Sequence, residues 1–354
     1  MKIGFLVYSL GGGGAERVVT NLANNFIKKN HEVYIYIFDI DGKQTYDVDS
    51  RIIIRNCCVS DDLLFISRFV KKICILRQFL KEDLIECLYV FMISMIPYAL
   101  LAKSHGCIIV GSERESPKLH DKKAKFIMKY LSTFCNGFVF QTNGAKKFYP
   151  KRLQDKSIVI QNPVFPLTET KKKLEGIHFC AAGRAVKTKD FSTILKAFKL
   201  FQEEYPQSDL TFFGNKVLED YLYPQVYELG LQENVLFRGF ISNLPNELSA
   251  YTVFLFSSLS EGMPNVLMEA MGAGVPCIAT DCDFGPRELI KSGDNGILVP
   301  VGDYLKMAGA MKYLVENQDK AMEMAKKAQL IGKTNSTEKI ADKFLDYVQE
   351  IKEK

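Results

Sequence analysis

Lys2-Ile3-Gly4-Phe5-Leu6-Val7-Tyr8 runs into Ser9-Leu10-Gly11-Gly12-Gly13-Gly14, and beyond the glycines apolar residues fall at 15, 18, 19, 22, 23, 26 and 27. The first stretch reads as a short buried strand. The last holds helical spacing for more than three turns, with a polar opposite face. Val33–Phe38 returns to strand. Strand, glycine loop, helix, strand is the opening of a parallel sheet covered by helices.

The same alternation continues outward. Ile52–Ile54, Leu84–Met92, Cys107–Gly111, Gly137–Gln141 and Ser157–Gln161 read as strands, and Ile96–Lys103 as a helix. An apolar stripe from Phe65 to Leu80 is flanked by Arg68, Lys71, Lys72, Arg77 and Lys81, and Lys122–Phe134 reads as a second basic amphipathic helix. Asn162-Pro163 breaks the pattern, and Pro166 with the polar stretch Thr168–Glu175 reads as a linker. A second cycle then begins. Its strands are expected at Ile177–Ala181, Leu210–Phe213, Val235–Phe237, Val253–Phe256, Cys277–Ala279 and Ile297–Val299, with helical patterns such as Ser192–Glu204 between most of them. The expectation is an α/β chain of two doubly wound domains, 1–165 and 166–335. A final helix, 336–354, is expected to pack back on the first domain.

The chain has 354 residues, 47% hydrophobic and 25% charged, which are globular proportions and exclude a disordered or fibrous chain. Nine cysteines contain no Cys-x-x-Cys pair and lie mostly in apolar runs, so they read as reduced, buried thiols. The four histidines do not cluster as zinc ligands would. The N-terminus does not read as a signal peptide. The longest apolar run, Leu88–Ala102, contains Pro97 and is short for a membrane span. Charge is uneven: residues 1–165 carry 24 Lys and Arg against 15 Asp and Glu, the remainder 22 against 26. A basic front and a mildly acidic rear suggest different partners for the two halves. No nucleic-acid-binding module is present.

Ligands of open α/β sheets bind outside the C-terminal ends of strands, so residues that follow strands are the candidates. Gly11–Gly14 would let backbone approach a phosphate at a helix start, or make only a tight turn. A dinucleotide fingerprint fails, because the third position of the pattern is Glu16 or Arg17, which argues against a dehydrogenase. Gly183-Arg184-Ala185-Val186-Lys187-Thr188-Lys189-Asp190 follows a strand. There Arg184 and Lys189 could clamp a diphosphate or simply sit in solvent. Glu261-Gly262-Met263-Pro264-Asn265 leads into a helix bearing Glu269, so two carboxylates bracket a loop and a first helical turn. Asp39/Asp41, Asp47/Asp49 and Asp281/Asp283 could suggest Mg²⁺, but the first two lie in turn-like polar text, and no metal is expected.

The chain resembles the large retaining glycosyltransferase family called family 4 (glycosyl transferases group 1). The motifs are Gly13-Gly14-Ala15-Glu16-Arg17, Gly183-Arg184 with Lys189-Asp190, and Glu261…Glu269. They continue with Ala270-Met271-Gly272-Ala273-Gly274-Val275-Pro276, Gly285-Pro286-Arg287-Glu288 and Asn295-Gly296-Ile297-Leu298-Val299. The resemblance covers nearly the whole chain and is strongest over 177–303. It implies the GT-B fold, two Rossmann-like domains with a cleft between them. By resemblance Arg184 and Lys189 hold the donor diphosphate, and Gly14, with Gly13, brings N–H to the phosphate. Glu261 touches donor sugar hydroxyls. Met263, Pro264 and Asn265 contact sugar or phosphate through backbone, Glu269 grips the ribose, and Gly239, Phe240 and Ile241 lie near the base. The pattern departs after 107–111, where many relatives carry a His and this chain has Ser112-Glu113-Arg114. Glu113 or Arg114 then contacts sugar or acceptor, or is structural, and His120 reads as exposed.

The resemblance implies a metal-independent, cofactor-free, retaining transfer of a hexose or N-acetylhexosamine from a nucleotide-diphosphate sugar, expected to be UDP-linked. The acceptor is expected to be lipid-linked or a surface polysaccharide such as capsule or lipopolysaccharide. The enzyme is expected in the cytoplasm, with the basic front half meeting an anionic membrane surface. Alternatives are a soluble transferase acting on a small molecule or a glucan, a non-catalytic sugar-nucleotide-binding subunit, and a pyridoxal-phosphate phosphorylase. The phosphorylase lacks a suitable lysine context after a late strand.

Overall fold

The computed structural model describes residues 1–11, 13–39, 45–60, 62 and 64–353. Gly12 of the glycine loop and Asp41 of the first aspartate pair lie outside the described residues. The chain divides into two units, Met1–Pro163 with Thr337–Lys354, and Val164–Ser336.

The first unit is a seven-stranded parallel sheet. Its strands are β1 (Lys2–Val7), β2 (Glu32–Ile37), β3 (Ile53–Asn56), β4 (Cys87–Phe91), β5 (Ile108–Ser112), β6 (Gly137–Phe140) and β7 (Ser157–Val159), in the spatial order β3-β2-β1-β4-β5-β6-β7. Strands 1, 2, 4 and 6 are almost wholly buried, as their continuous apolar runs require when helices cover both faces. Helix Gly14–Lys28 buries Val18, Val19, Leu22, Ala23, Phe26 and Ile27, the face its spacing marked. The second unit has six parallel strands, β8 (His178–Ala182), β9 (Asp209–Phe213), β10 (Val235–Phe237), β11 (Val253–Phe256), β12 (Cys277–Thr280) and β13 (Ile297–Val299), ordered β10-β9-β8-β11-β12-β13. Both orders reverse once, between β1 and β4 and between β8 and β11. Each unit by itself is doubly wound and Rossmann-like, as the alternating pattern predicts.

Several elements differ from their sequence patterns for local reasons. The expected strand from Leu84 begins only at Cys87, because Leu84 takes a left-handed φ of 55° and closes helix Phe65–Glu82. Ile85 N–H then donates to the Leu80 carbonyl. The expected helix Lys122–Phe134 stops at Lys129 and resumes as a single tight turn, Leu131–Phe134. There Ser132 Oγ donates to the Met128 carbonyl at 2.6 Å and Thr133 Oγ1 to the Tyr130 carbonyl at 2.6 Å, competing with the helical ladder. Thr168–Glu175 is irregular but pinned: Asn246 Oδ1 accepts from Thr168 N–H, and Ser249 Oγ from Lys171 N–H. Val164 N–H donates to the Asn335 carbonyl, so the two crossing segments pair within the second unit. Cys74 is exposed and Cys58 half-buried; the other seven thiols are buried, and none is in a disulfide.

The last helix, Thr337–Lys352, buries Ile340, Ala341, Phe344, Tyr347 and Val348 in the core of the first unit. Tyr89 Oη donates to the Phe344 carbonyl at 2.6 Å, and Tyr347 Oη accepts from Phe138 N–H and donates to the Lys156 carbonyl. Truncating a fully buried Phe costs about 3–5 kcal/mol. Phe344→Ala is therefore expected to destabilise the first unit by that amount. The check is native-state hydrogen exchange: amides of β1 and β4 should lose protection while those of β8 and β11 keep theirs.

Candidate active site

In the second unit the reversal between β8 and β11 brings two loops side by side. The loop after β8 ends in a tight turn, Lys187–Lys189, and Asp190 at φ 46° starts helix Phe191–Glu204. The loop after β11 carries Ser257, Ser258 and Glu261. The two are stitched together, with Leu259 N–H donating to the Thr188 carbonyl and Ser257 Oγ to the Lys189 carbonyl, each at 2.8 Å. Thr280 Oγ1 at the end of β12 donates to the Ser258 carbonyl at 2.7 Å.

This scaffold sets Lys189 Nζ 2.5 Å from Glu261 Oε1, which also accepts from Ser258 Oγ at 2.6 Å. Both charged side chains are mostly out of water, 17% and 14% exposed. Lys189 Nζ also lies 5.6 Å from the centroid of Phe256. Gly262, Met263 and Pro264 are buried and lead into helix Asn265–Gly272, on which Glu269 is buried. Gly285 explains the shape of that loop: a Cβ there would lie 2.3 Å from Pro264 Cδ and 3.0 Å from the Gly262 carbonyl oxygen. Only glycine lets helix Gly285–Leu289 approach so closely. Arg184, on the same loop as Lys189, is exposed. Gly239, at φ 65°, and Phe240, 60% exposed, follow the edge strand β10, with Ile241 half-buried behind them. The Gly239 carbonyl accepts from Gly214 N–H. In the first unit Gly13 caps helix Gly14–Lys28 in extended conformation, and its carbonyl accepts from Arg17 N–H.

The departure at Ser112-Glu113-Arg114 has a structural explanation. Glu113 is buried, and each of its oxygens accepts twice. Oε1 takes the N–H groups of Arg114 and Glu115, at 2.9 and 3.0 Å; Oε2 takes the Tyr149 hydroxyl and His120 Nε2, the latter at 2.6 Å. A carboxylate offers about four acceptor positions, so none is left for an acceptor hydroxyl. His120, expected to be exposed, is buried by this pairing. Burial alone would lower its pKa; the hydrogen bond and charge of Glu113, with Glu115 and Asp121, override this and raise it. Arg114 stacks on Phe91 at 4.2 Å and donates from Nη1 to Asn162 Oδ1 at 2.9 Å. Its Nε and Nη2 are buried without a partner among the described residues.

Three of these aspartates have cationic partners: Asp281 and Asp283 face Arg287, and Asp49 pairs with Arg51. Among the described residues no group of three or more His, Cys, Asp or Glu could hold a metal ion.

Residues 168–331 match the family model described as glycosyl transferases group 1. The second unit matches that model over nearly its whole length, and the chain is a glycosyltransferase. Over nearly its whole length this glycosyltransferase is similar to two bacterial proteins. One is an uncharacterized glycosyltransferase of Haemophilus influenzae, 26% identical over 97% of this chain and 98% of that one. The other is the N-acetylgalactosamine-N,N'-diacetylbacillosaminyl-diphospho-undecaprenol 4-alpha-N-acetylgalactosaminyltransferase of Campylobacter jejuni, 26% identical over 98% and 99%. Among solved structures, Anabaena Alr3699/HepE in complex with UDP and glucose superposes with a TM-score of 0.83 at 18% identity, covering 99% of both chains.

Sequence reasoning passed over Ser258 and Tyr149, and it read His120 as exposed rather than as the partner of Glu113. Small hydroxyl residues directly after β11, at the sheet's reversal, were a usable signal for Ser258. Nothing local marks Tyr149, which lies 36 residues from Glu113. A raised imidazole pKa in the folded state adds stability that is complete below the ordinary value of 6.5 and is lost as pH rises through the raised value. The stability difference between wild type and His120→Gln, measured by urea unfolding from pH 5.5 to 8.5, is expected to be widest at the acid end and to shrink toward the alkaline end. A difference independent of pH would refute the ion pair.

Proposed function

We propose that this glycosyltransferase moves a hexose or N-acetylhexosamine from a UDP-sugar, with retention of anomeric configuration and without a metal, to a lipid-linked or surface-polysaccharide acceptor. The observation that carries the reading is the Lys189–Glu261 pair, braced by Ser258, at the C-terminal ends of β8 and β11. Breaking the anomeric C–O bond leaves charge on the departing diphosphate. A preorganised ammonium with little access to water stabilises such charge far better than one in bulk solvent. Glu261 holds that ammonium in place before the donor arrives. When a diphosphate takes over Lys189, Glu261 is released for the sugar hydroxyls. Arg184 is exposed on the same loop and adds a planar donor fork. The first turn of helix Asn265–Gly272 adds backbone N–H groups after Met263 and Pro264. Glu269 is assigned to the ribose, Gly239, Phe240 and Ile241 to the base, and Gly13 and Gly14 to the phosphate, as the resemblance implies.

Retention fits the alpha linkage named for the Campylobacter relative, since alpha products follow from alpha-linked nucleotide sugars when configuration is kept. That relative's diphospho-undecaprenol acceptor supports a lipid-linked acceptor here. A peripheral, cytoplasmic-face location is part of the proposal. Leu64, Phe65 and Ile66 are 81%, 61% and 75% exposed at the start of helix Phe65–Glu82. Lys123 lies over the Phe65 ring at 5.0 Å, joining that apolar tip to the basic helix Lys122–Lys129. No helix among the described residues is long and apolar enough to cross a membrane.

A panel of UDP-, GDP- and ADP-sugars, assayed for hydrolysis and for transfer, tests the chemistry. UDP release is expected from wild type. Lys189→Ala and Glu261→Ala should each lower kcat about 10²–10³-fold, the usual loss for one charge-stabilising group, and EDTA should leave the rate unchanged. Wild-type rates in either variant refute its role, and loss in EDTA restored by Mg²⁺ refutes the metal-free route. For the membrane, sedimentation with phosphatidylglycerol vesicles should exceed that with phosphatidylcholine and fall with added salt. Phe65→Ser with Ile66→Ser should weaken it about tenfold or more. Equal recovery on both lipids would remove the electrostatic part of the proposal.

A further inference from the structure

We propose that Ser257, Ser258 and Thr280 are positioning residues for the transfer: three buried hydroxyls that tie the ends of three strands together and so aim Lys189 and Glu261. The assignment to transfer rests on the glycosyl-transfer reading above. The strand ladder shows why such ties are needed. β8 and β11 lie side by side, yet their pairing ends at Cys180 and Phe254, two positions before either strand does. On its other side β11 pairs with β12 as far as Phe256 and Ala279. The sheet thus opens early at its reversal, on the side from which Lys189 leaves. Past that point no ladder bond between strands sets where the loop after β8 stands relative to the loop after β11.

The hydroxyls restore the connection. Thr280, the last residue of β12, donates from Oγ1 to the Ser258 carbonyl at 2.7 Å and fixes the β11 loop from one side. On the other side Ser257 Oγ donates to the Lys189 carbonyl and Leu259 N–H to the Thr188 carbonyl, each at 2.8 Å. Lys189 N–H donates to the Val186 carbonyl, and Asp190 follows in the left-handed conformation at φ 46°, so the main chain is set on both sides of Lys189. The two neighbouring serines have separate duties. Ser257 holds the main chain from which Lys189 projects, and Ser258 holds the carboxylate that faces its ammonium, at 2.6 Å. Ser258 has a second consequence. Glu261 Oε1 accepts from both Lys189 and Ser258, so it keeps one hydrogen bond when the ammonium turns to a departing diphosphate. The pair can then open without leaving that oxygen unsatisfied where water is scarce. A hydroxyl suits the task because it donates without adding a second positive charge beside the ammonium. All three are out of water, Ser257 at 2%, Ser258 at 1% and Thr280 at 0% exposed, so solvent does not compete for these bonds.

The test compares the full wild-type chain with Ser257→Ala, Ser258→Ala, Thr280→Val and Thr280→Ser. Valine keeps the shape of threonine without its hydroxyl, and serine keeps the hydroxyl without the methyl. Ser258→Ala and Thr280→Val should lower kcat for UDP-sugar turnover about tenfold or more while KM moves less than about threefold, because a misaimed ammonium is missed most where charge develops. Thr280→Ser should recover most of that rate; packing alone would make serine the worse of the two. A second readout needs no donor. Acetylation of Lys189 by an N-hydroxysuccinimide ester, followed by peptide mass spectrometry, should quicken at least about threefold in Ser257→Ala, Ser258→Ala and Thr280→Val. Lys173, whose Nζ donates to the Tyr251 carbonyl in the same unit, should react as in wild type. The proposal is overturned by wild-type kcat and labelling in these variants, or by equal losses in Thr280→Val and Thr280→Ser. It is overturned equally by faster labelling of Lys173 alongside Lys189, which would mean that the whole unit has loosened. A wild type that turns over no nucleotide sugar would defeat the proposed function, and the labelling would still decide whether the hydroxyls hold Lys189.

Discussion

Lys189 and Glu261 lie 72 residues apart in sequence and 2.5 Å apart in space, and the reversal of strand order between β8 and β11 is what joins them. On one side of the reversal the crossover helices cover one face of the sheet, on the other side the opposite face. The two loops that leave its central strands therefore part around a crevice. In this chain they do not part completely: backbone and serine hydrogen bonds hold Thr188, Lys189, Ser257 and Leu259 together. The ion pair is a poor device for stability. Removing an ammonium and a carboxylate from water costs several kcal/mol each, and attraction recovers this only with good geometry and further hydrogen bonds. A charged pair kept at the strand ends at such a cost does little to fasten the fold, which is why the proposed function rests on it.

Most of the architecture was legible because parallel strands buried on both faces and helices buried on one leave different periodicities in the sequence. The strands Val235–Phe237, Val253–Phe256 and Ile297–Val299 fall where their apolar runs place them. The misplacements have a common origin in backbone events that apolarity does not encode. Leu84 and Met92 adopt positive φ without being glycine, and Ser132 and Thr133 return their hydroxyls to nearby carbonyls. In the candidate site, residue type and spacing brought forward Lys189, Glu261 and the loop from Met263 to Asn265, and the structure sets Lys189 against Glu261. They could not mark Ser258 as the brace, or Tyr149 and His120 as partners of Glu113. Those relationships exist only once strands distant in sequence lie side by side.

The first unit shows the same dependence on distant closure. Its core is completed by the last helix of the chain, so Phe344 packs edge-on against Tyr89 with ring centroids 5.4 Å apart, and Tyr347 binds the backbone at Phe138 and Lys156. A chain that crosses twice between its units uses its final residues to finish the unit it began with. Val164 and Asn335 are paired where those crossings lie adjacent, and this fixes the two segments relative to each other.

Two carboxylates that follow strands, Glu113 buried and Glu261 partly buried, can be told apart by counting donors. Glu113 and Glu261 each hold a basic side chain, His120 and Lys189. Glu113 accepts four hydrogen bonds, two on each oxygen, and its capacity is exhausted. Glu261 accepts two, both on Oε1, which leaves Oε2 without a hydrogen bond among the described residues. A carboxylate with every lone pair engaged can only position its neighbours, and Glu113 accordingly holds His120, Tyr149 and the backbone at Arg114 and Glu115. One with an oxygen in reserve can exchange its partner for a ligand without leaving a buried charge unpaired. Two glutamates with similar placement in the sequence pattern thus differ in the bonding capacity left to them, and the difference lies in the residues the fold delivers to each.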